Sequence, residues 1–279
     1  MGAGFKYGVL MMDIYNLKLR IYTSLVLLPL VFFPIYMGGW YFSLGLVFFV
    51  TVLFYELITI SDQQKKETLS VLYFLSLLLI IISWDIIWIM VIILLVLMSF
   101  GSLCNLLILK KNNFWTFYFL NYTFLFFVFF YSLMNNQSQD QAKFVMLFII
   151  GVALLSDVGG YVGGQLIGKK KAFPKISPNK TVEGTIAAIL FPTIISYSLL
   201  YFLNYQVDKS LLILTLVLLS IGAILGDLFA SLIKRNFDIK NASNLLPGHG
   251  GFLDRFDSVI GVTITYTFLI NFYALFAII

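Results

Sequence analysis

Long runs of apolar residues, each close to the length needed to cross a lipid bilayer, follow one another along almost the whole chain. A helix that crosses the bilayer core needs about 20 residues, and on that length the runs predict about nine transmembrane helices. They lie near residues 20–37, 38–60, 69–84, 86–109, 116–134, 145–167, 184–205, 210–233 and 257–279. With 61% hydrophobic and 11% charged residues, the chain cannot cover a water-soluble globule with polar groups. The sequence therefore predicts an all-α, polytopic integral membrane protein.

The distribution of lysine and arginine predicts how these helices are oriented. Basic residues accumulate in cytoplasmic loops, and on the predicted spans all 18 lie on one side except Lys143 and Lys209. The N-terminus is therefore predicted to be cytoplasmic. The expected location of the protein is the plasma membrane of a bacterial cell. The net charge of +5 then follows from topology and favours anionic headgroups and triphosphates. The basic residues lack the patterning of a nucleic-acid site, so no nucleic-acid partner is expected.

The segment from Ser231 to Ser258 departs sharply from the apolar pattern. It carries a Gly-His-Gly-Gly turn at residues 248–251 with the only histidine of the chain. Its charged residues are Lys234, Arg235, Asp238, Lys240, Asp254, Arg255 and Asp257. Carboxylate oxygens suit Mg²⁺, whereas lysine, arginine and glycine N–H groups suit phosphate oxygens. This mixture predicts a site for a nucleoside triphosphate with its Mg²⁺.

This segment closely resembles the signature of the phosphatidate cytidylyltransferases, also called CDP-diacylglycerol synthases. The matching positions are Ser231, Lys234, Arg235, Lys240, Ser243, Leu246, Pro247, His249, Gly250, Gly251, Asp254, Arg255 and Asp257. Asn241 departs from the signature, which has an aspartate there. An amide offers an oxygen ligand without a negative charge, so activity is expected to survive with a weaker metal contact.

A second stretch, residues 156–184, resembles another element of the same family. It matches at Asp157, Tyr161, Gly164, Gly168, Lys169, Ile176, Ser177, Pro178, Lys180, Thr181, Glu183 and Gly184, while Gly160 and Gln165 depart from it. The spacing places Asp157 on one helical face with two of the glycines. For the glycines a helix-packing seam is an equal alternative, whereas a carboxylate buried in a span favours a functional role. Residues 177–181 fit a loop that caps the next helix, with Lys180 as the stronger functional candidate.

Two further arrangements place carboxylates near the same predicted membrane face. Asp227, Ser231 and Lys234 are spaced to share one side of the eighth span. Asp227 would then lie about 10 Å below the cytoplasmic end of its helix and reach a cavity open to the cytoplasm. Asp254 and Asp257 are three residues apart at the start of the ninth span. The preference of acidic residues for helix N-termini is an alternative explanation for one of them.

The resemblance implies that CTP and phosphatidate react to give CDP-diacylglycerol and diphosphate at the cytoplasmic face. The predicted metal ligands, for Mg²⁺ with a second ion left open, are Asp227, Asp254, Asp257 and Asn241. The predicted catalytic residues are Asp227, Asp254, Asp257, Lys234 and Arg235. The predicted substrate-binding residues are Asp157, Ser177, Lys180, Lys240, His249, Gly250, Gly251 and Arg255. For His249, a turn residue without a ligand is the alternative.

On this interpretation, residues 1–134 form a transmembrane scaffold and residues 135–279 form the catalytic region. Within the scaffold, Glu56 either extends to the headgroups or has a functional role. The lone Cys104 excludes an intramolecular disulfide, and homodimerisation is compatible with the family.

Three other functions are alternatives to this one. A CTP-dependent polyprenol kinase would transfer the γ-phosphoryl group instead of the cytidylyl group. A transporter or channel would also fit Asp157 and Asp227 within the membrane. A CDP-alcohol phosphatidyltransferase would need an aspartate motif that this sequence lacks.

Overall fold

A computed structural model of the protein describes residues 2–61, 66–82, 113–135, 138–205 and 208–277. Within these ranges the regular elements are eight helices and a two-stranded antiparallel hairpin. The helices are α1 (Gly2–Met37), α2 (Gly39–Ile60), α3 (Lys66–Ile82), α4 (Asn113–Asn135), α5 (Gln139–Ile167), α6 (Val182–Phe202), α7 (Lys209–Asn236) and α8 (Leu253–Ala277). The hairpin strands, β1 (Lys171–Phe173) and β2 (Ser177–Thr181), lie between α5 and α6.

Six of the described helical stretches are long and apolar enough to cross a membrane. They are Lys18–Met37, Gly39–Ile60, Tyr118–Asn135, Gln139–Ile167, Val182–Phe202 and Lys209–Asn236. They coincide with six of the predicted spans, which confirms the all-α polytopic membrane fold.

The other three predicted spans have different outcomes. The third corresponds to α3, which has 17 residues, and the ninth overlaps α8, which begins four residues earlier than predicted. The fourth, residues 86–109, lies outside the described residues, as does Cys104. The total of nine spans and the cytoplasmic N-terminus remain predictions.

Residues Met1–Thr123 and Asn241–Asp254 form one compact unit. Large apolar side chains of α2 make up much of its core, and the ring of Phe54 packs 4.5 Å from that of Tyr73 in α3. Phe49 of α2 packs against Phe252, with ring centroids 4.6 Å apart. Part of the signature segment therefore folds with the N-terminal helices, although it is distant from them in sequence.

Residues Phe124–Lys240 and Arg255–Ile279 form the second unit, in which glycines allow close helix packing. A Cβ on Gly184 of α6 would lie 2.8 Å from the Gly160 carbonyl oxygen of α5 and 3.0 Å from the Gly164 Cα. The helix-packing interpretation of these glycines is therefore confirmed. The division into a scaffold, residues 1–134, and a catalytic region, residues 135–279, is a functional one and remains a prediction.

The residues before α6 form a strand and a cap. The Thr181 hydroxyl accepts a hydrogen bond from the Gly184 N–H at 3.1 Å, so the predicted helix cap is confirmed. Residues 177–181, however, form β2 rather than an irregular loop, because Lys171 pairs with Thr181 and Phe173 pairs with Ser177. A five-residue strand that contains Pro178 carries too weak a pattern to be distinguished from a loop by sequence.

Candidate active site

Three carboxylates, from α5, α7 and α8, form what we term the carboxylate cluster: Asp157, Asp227 and Asp257. Asp257 is buried, with 6% of its surface exposed. It lies close enough to the other two carboxylates and to Lys234 for their charges to interact. The second unit thus brings together three acidic residues that belong to different predicted spans.

Close backbone contact between α7 and α8 places Asp227 beside Asp257. A Cβ on Gly226 would lie 3.0 Å from both the Cα and the backbone nitrogen of Gly261, and would also meet the Asp257 carbonyl oxygen. Asp227, the residue after Gly226, and Asp257, one turn before Gly261, flank this contact. Because no larger residue fits at 226, the approach of the two helices depends on glycine there.

Replacing Gly226 with alanine is therefore expected to destabilise the protein by about 1–3 kcal/mol, the usual cost of overpacking a tight contact. Gly151 in α5 provides a matched control, since a Cβ there would meet no atom within 4 Å. Its replacement with alanine should be neutral or stabilising by up to about 1 kcal/mol, because alanine favours the helix. Thermal unfolding in detergent measures both effects. Equal unfolding temperatures for the two variants would contradict the proposed contact.

Two cations and the hydroxyl group of Ser231 accompany the carboxylates. The Lys180 Nζ lies 2.7 Å from the Asp227 Oδ2, and the Ser231 hydroxyl donates to the Asp227 Oδ1 at 3.3 Å. Lys234 is 9% exposed, and its charge interacts with that of Asp257. These contacts confirm that Asp227 and Ser231 share a face of α7, and they bring Lys180 to the cluster from the end of β2.

Ser258 contacts the carboxylate cluster, and the sequence did not predict this contact. Its hydroxyl donates to the Asp157 Oδ1 at 2.9 Å, and its N–H donates to the Asp257 Oδ1 at 2.8 Å. Ser258 therefore joins the carboxylates of α5 and α8. Its position directly after Asp257 was the available signal, but a serine in a helix is too common for its partner to be predicted.

Arg235 contacts backbone rather than the carboxylate cluster. Its Nε donates to the Ile176 carbonyl oxygen at 3.2 Å, and its Nη1 donates to the Ile239 carbonyl oxygen at 3.1 Å. Arg235 thus ties the hairpin turn to the end of α7. Of the other predicted substrate-binding residues in this unit, Ser177 lies half-buried in β2, and the side chains of Lys240 and Arg255 are exposed.

The signature loop, defined as residues 241–252, belongs to the first unit. Hydrogen bonds within its own backbone stabilise its turn. Gly248 and Gly250 have φ angles of 78° and 87°, which favour glycine. The N–H groups of His249 and Gly250 donate to the Leu246 carbonyl oxygen at 2.9 and 3.0 Å. These two N–H groups therefore serve the loop itself, and the use of glycine N–H groups for phosphate remains a prediction.

Asp254 closes the loop at the start of α8. Its Oδ2 accepts hydrogen bonds from the N–H groups of Ala242 and Gly251, each at 3.0 Å. Asn241 lies beside the turn, since a Cβ on Gly250 would lie 3.6 Å from the Asn241 Cγ. Because α8 begins at Leu253, Asp254 and Asp257 lie in its first two turns, as their predicted spacing requires.

Residues of α1 and α2 contact the signature loop, and sequence reasoning identified none of these contacts. The Arg20 Nε donates to the Gly248 carbonyl oxygen at 3.0 Å, and the Thr23 hydroxyl hydrogen-bonds to the His249 Nδ1 at 2.5 Å. Glu56 is 2% exposed and binds residues 243, 252 and 253. The expectation that Glu56 extends to the headgroups is therefore wrong, because hydrogen-bond donors inside the protein satisfy its carboxylate. The available signal was an ionisable residue at membrane depth.

The carboxylate cluster offers oxygen donors of the kind that a metal ion would use if it were shared with a ligand. Among the described residues, no three acidic, histidine or cysteine side chains are arranged to hold a metal by themselves. Mg²⁺ in nucleotide sites uses one or two carboxylates, and water and phosphate oxygens complete its shell. Asp227 and Asp257 supply such oxygens, with two lysines nearby for the remaining phosphate charge.

Comparison with known proteins shows which family this chain resembles. A model of the cytidylyltransferase family matches residues 18–273. A Staphylococcus haemolyticus protein named phosphatidate cytidylyltransferase is 44% identical over 117 residues, which cover 42% of this chain and 45% of the relative. A Staphylococcus aureus protein of the same name is 38% identical over 136 residues, 49% of this chain and 50% of the relative.

A Staphylococcus epidermidis protein, also named phosphatidate cytidylyltransferase, matches over a longer region. It is 33% identical over 261 residues, which cover 88% of this chain and 96% of the relative. The chain thus spans about half the length of the first two relatives and nearly all of the third.

Proposed function

Because this chain belongs to the cytidylyltransferase family, we propose that it transfers the cytidylyl group of CTP to phosphatidate, giving CDP-diacylglycerol and diphosphate. The observation that carries the proposal is the carboxylate cluster with Lys180 and Lys234, where hard oxygen donors and cations lie together. This combination suits a triphosphate with its metal ion. The names of relatives that align with much of this chain support the choice of substrates.

The reaction requires the protein to position charged groups rather than to activate a nucleophile. A phosphatidate oxygen attacks the α-phosphorus of CTP, the bond from that phosphorus to the β-phosphate oxygen breaks, and diphosphate leaves. The attacking phosphate oxygen is already anionic near neutral pH, so no strong general base is needed. The work of the site is to align the two anions and to lower their repulsion.

Lys180 and Lys234 are suited to bind phosphate oxygens. An ammonium group has three donors, so Lys180 can keep its 2.7 Å ion pair with Asp227 while it donates to a phosphate. Lys234 is largely withdrawn from solvent, which strengthens its interaction with an anion. Arg235 holds the turn of the hairpin that carries Lys180, and we assign it a role in placing that lysine.

Mg²⁺ held by Asp227 and Asp257 would neutralise charge on the triphosphate and on the departing diphosphate. Both side chains offer carboxylate oxygens, and Ser231 and the Ser258 N–H orient them. The participation of Asp254 and Asn241 as ligands, and of a second ion, rests on the resemblance of the signature. Substrate contacts by Asp157, Ser177, Lys240, His249, Gly250, Gly251 and Arg255 have the same basis.

The protein is an integral membrane protein, and we place its active site at the cytoplasmic face of the bacterial plasma membrane. The excess of lysine and arginine on one predicted side of the membrane supports this orientation. It also suits the substrates, because phosphatidate keeps its acyl chains in the bilayer while CTP arrives from water. Homodimerisation remains a prediction from the family.

A double-label assay tests the proposed reaction. Purified protein in mixed micelles with phosphatidate and Mg²⁺ receives CTP labelled at either the α- or the γ-phosphate. The α-label is expected to enter the lipid product and the γ-label to leave as diphosphate. Omission of Mg²⁺ with added chelator should stop the movement of both labels, and mixed micelles without the protein provide the background.

Other label patterns would select a different function. Entry of the γ-label into a polyprenol would indicate a CTP-dependent kinase. Absence of transfer from CTP to any lipid, with substrate binding or flux across vesicles instead, would indicate transport.

A further inference from the structure

Glu56 is an acidic residue of α2 that the proposed reaction does not use, yet it is almost completely buried. It is 2% exposed, near the C-terminal end of a helix that crosses the membrane. Burial of a carboxylate costs free energy unless hydrogen bonds replace its hydration. The groups that provide those bonds therefore indicate what the residue does.

The partners of Glu56 lie at the two ends of the signature loop. Its Oε1 accepts hydrogen bonds from the Ser243 hydroxyl and, at 2.9 Å, from the Phe252 N–H. Its Oε2 accepts from the Leu253 N–H at 2.5 Å. One carboxylate from α2 thus joins the beginning of the loop, the end of the loop and the first residue of α8.

Glu56 supplies a helix cap that the local sequence lacks. The first N–H groups of a helix have no partner within the helix, and a serine or aspartate at the preceding position usually accepts one of them. Here that position is Phe252, which has no acceptor in its side chain. The cap comes instead from a residue 197 positions away in sequence, so the start of α8 is tied to α2.

The signature loop packs closely against the Glu56 carboxylate. A Cβ on Gly251 would lie 2.6 Å from the Glu56 Oε1 and 2.8 Å from the Ala242 Cβ. No larger residue fits between the carboxylate and the beginning of the loop. Glycine at 251, in the middle of the signature, is thus explained by close packing on Glu56.

We propose that Glu56 is a positioning residue for cytidylyl transfer, which holds the signature loop and the first turn of α8 in the reactive arrangement. This inference rests on the proposed function. Glu56 acts through the backbone of residues 252 and 253 and through Ser243. The same turn of α8 carries Asp254, a signature residue whose side chain also binds the loop.

Substitutions at Glu56 test this role through kcat and through amide exchange. Glu56→Gln keeps the size of the side chain and one oxygen acceptor, whereas Glu56→Ala removes all three hydrogen bonds. We expect kcat to fall by about 10-fold for glutamine and about 100-fold for alanine, since small displacements of a reactive group have effects of this order. The KM for CTP should change less than kcat. Hydrogen exchange of the amides at 252 and 253 should become faster in both variants.

Asp208→Ala provides the matched control. Asp208 caps α7 by accepting from the Leu211 N–H at 3.0 Å, and 19 residues of helix, or about 28 Å, separate it from Asp227. Its loss should lower the unfolding temperature without a specific loss of kcat. All rates are divided by the folded fraction, which is measured by thermal unfolding. If Glu56→Ala does not fold, the milder Glu56→Gln variant still tests the proposal.

Two outcomes would overturn the positioning role. One is a Glu56→Gln enzyme with wild-type kcat per folded molecule, and the other is unchanged amide exchange at residues 252 and 253. Failure of the proposed function looks different, because wild-type protein would then transfer no α-label to phosphatidate. Amide exchange does not depend on activity. It therefore measures how firmly Glu56 holds the signature loop whether or not the protein transfers the cytidylyl group.

Discussion

Replacement of Asp257 by asparagine is expected to lower kcat for cytidylyl transfer by about 10²–10³-fold or more, the usual loss when a group that stabilises transition-state charge is removed. Asparagine preserves the shape of the side chain and its contact with the Ser258 N–H. It removes the negative charge that a metal ion beside the triphosphate requires. Transfer of the α-label to phosphatidate at saturating substrate measures the effect.

Asp140→Asn is a suitable control for this change in charge. Asp140 is exposed in the first turn of α5, 17 residues or about 25 Å along that helix from Asp157. Its replacement should leave kcat within about twofold of wild type, as expected for a surface substitution away from the site. If Asp257→Asn retained wild-type kcat with unchanged dependence on Mg²⁺, Asp257 would be removed from the proposed metal ligands.

The second large effect is expected at the ion pair between Lys180 and Asp227. Lys180→Gln should reduce kcat/KM for CTP by about 10²-fold, because it removes a cation from the proposed triphosphate site and leaves the Asp227 carboxylate without its partner at 2.7 Å. Asp227→Asn should cause a loss at least as large. The double variant should lose less than the product of the two single losses, since residues in direct contact are coupled by about 0.5–3 kcal/mol.

Lys175→Gln makes the same change of charge on the same hairpin and serves as the control. Lys175 lies in the turn between β1 and β2, with its side chain exposed, and its loss should change kcat/KM by less than about threefold. Strictly multiplicative losses for Lys180 and Asp227 would show that the two residues act independently. In that case the ion pair would have no part in binding the triphosphate.

Several parts of the site could be predicted because they depend on residues near one another in sequence. The shared face of Asp227 and Ser231 follows from their four-residue spacing on a helix, and the hydrogen bond between them confirms it. The cap at Thr181 follows from its position before a new apolar run, and the structure contains it. The glycines of residues 156–184 were given two interpretations, and the close approach of α5 and α6 selects packing.

Other features could not be predicted, because each joins segments that are distant in the chain. Arg235 has the residue type of a phosphate ligand, but its guanidinium group binds the carbonyl oxygen of Ile176, 59 residues away. Ser258 gains its importance only from the approach of Asp157. Residues of α1 that contact Gly248 and His249 have no unusual neighbours in sequence. The residue type shows which interactions a side chain can make, but it does not show which distant residue the side chain contacts.

The sequence by itself determined the membrane fold and the family, and it supplied the residues that we propose carry the chemistry. Apolar runs of bilayer length can satisfy their backbone only as helices, and a dense set of charged residues and glycines within such a chain indicates phosphate chemistry. Only the tertiary structure decided that Glu56 binds both ends of the signature loop and that α5, α7 and α8 each contribute a carboxylate to one cluster. These contacts depend on the distance between packed helices. The side-chain volumes of both helices set that distance, so neither sequence segment determines it alone.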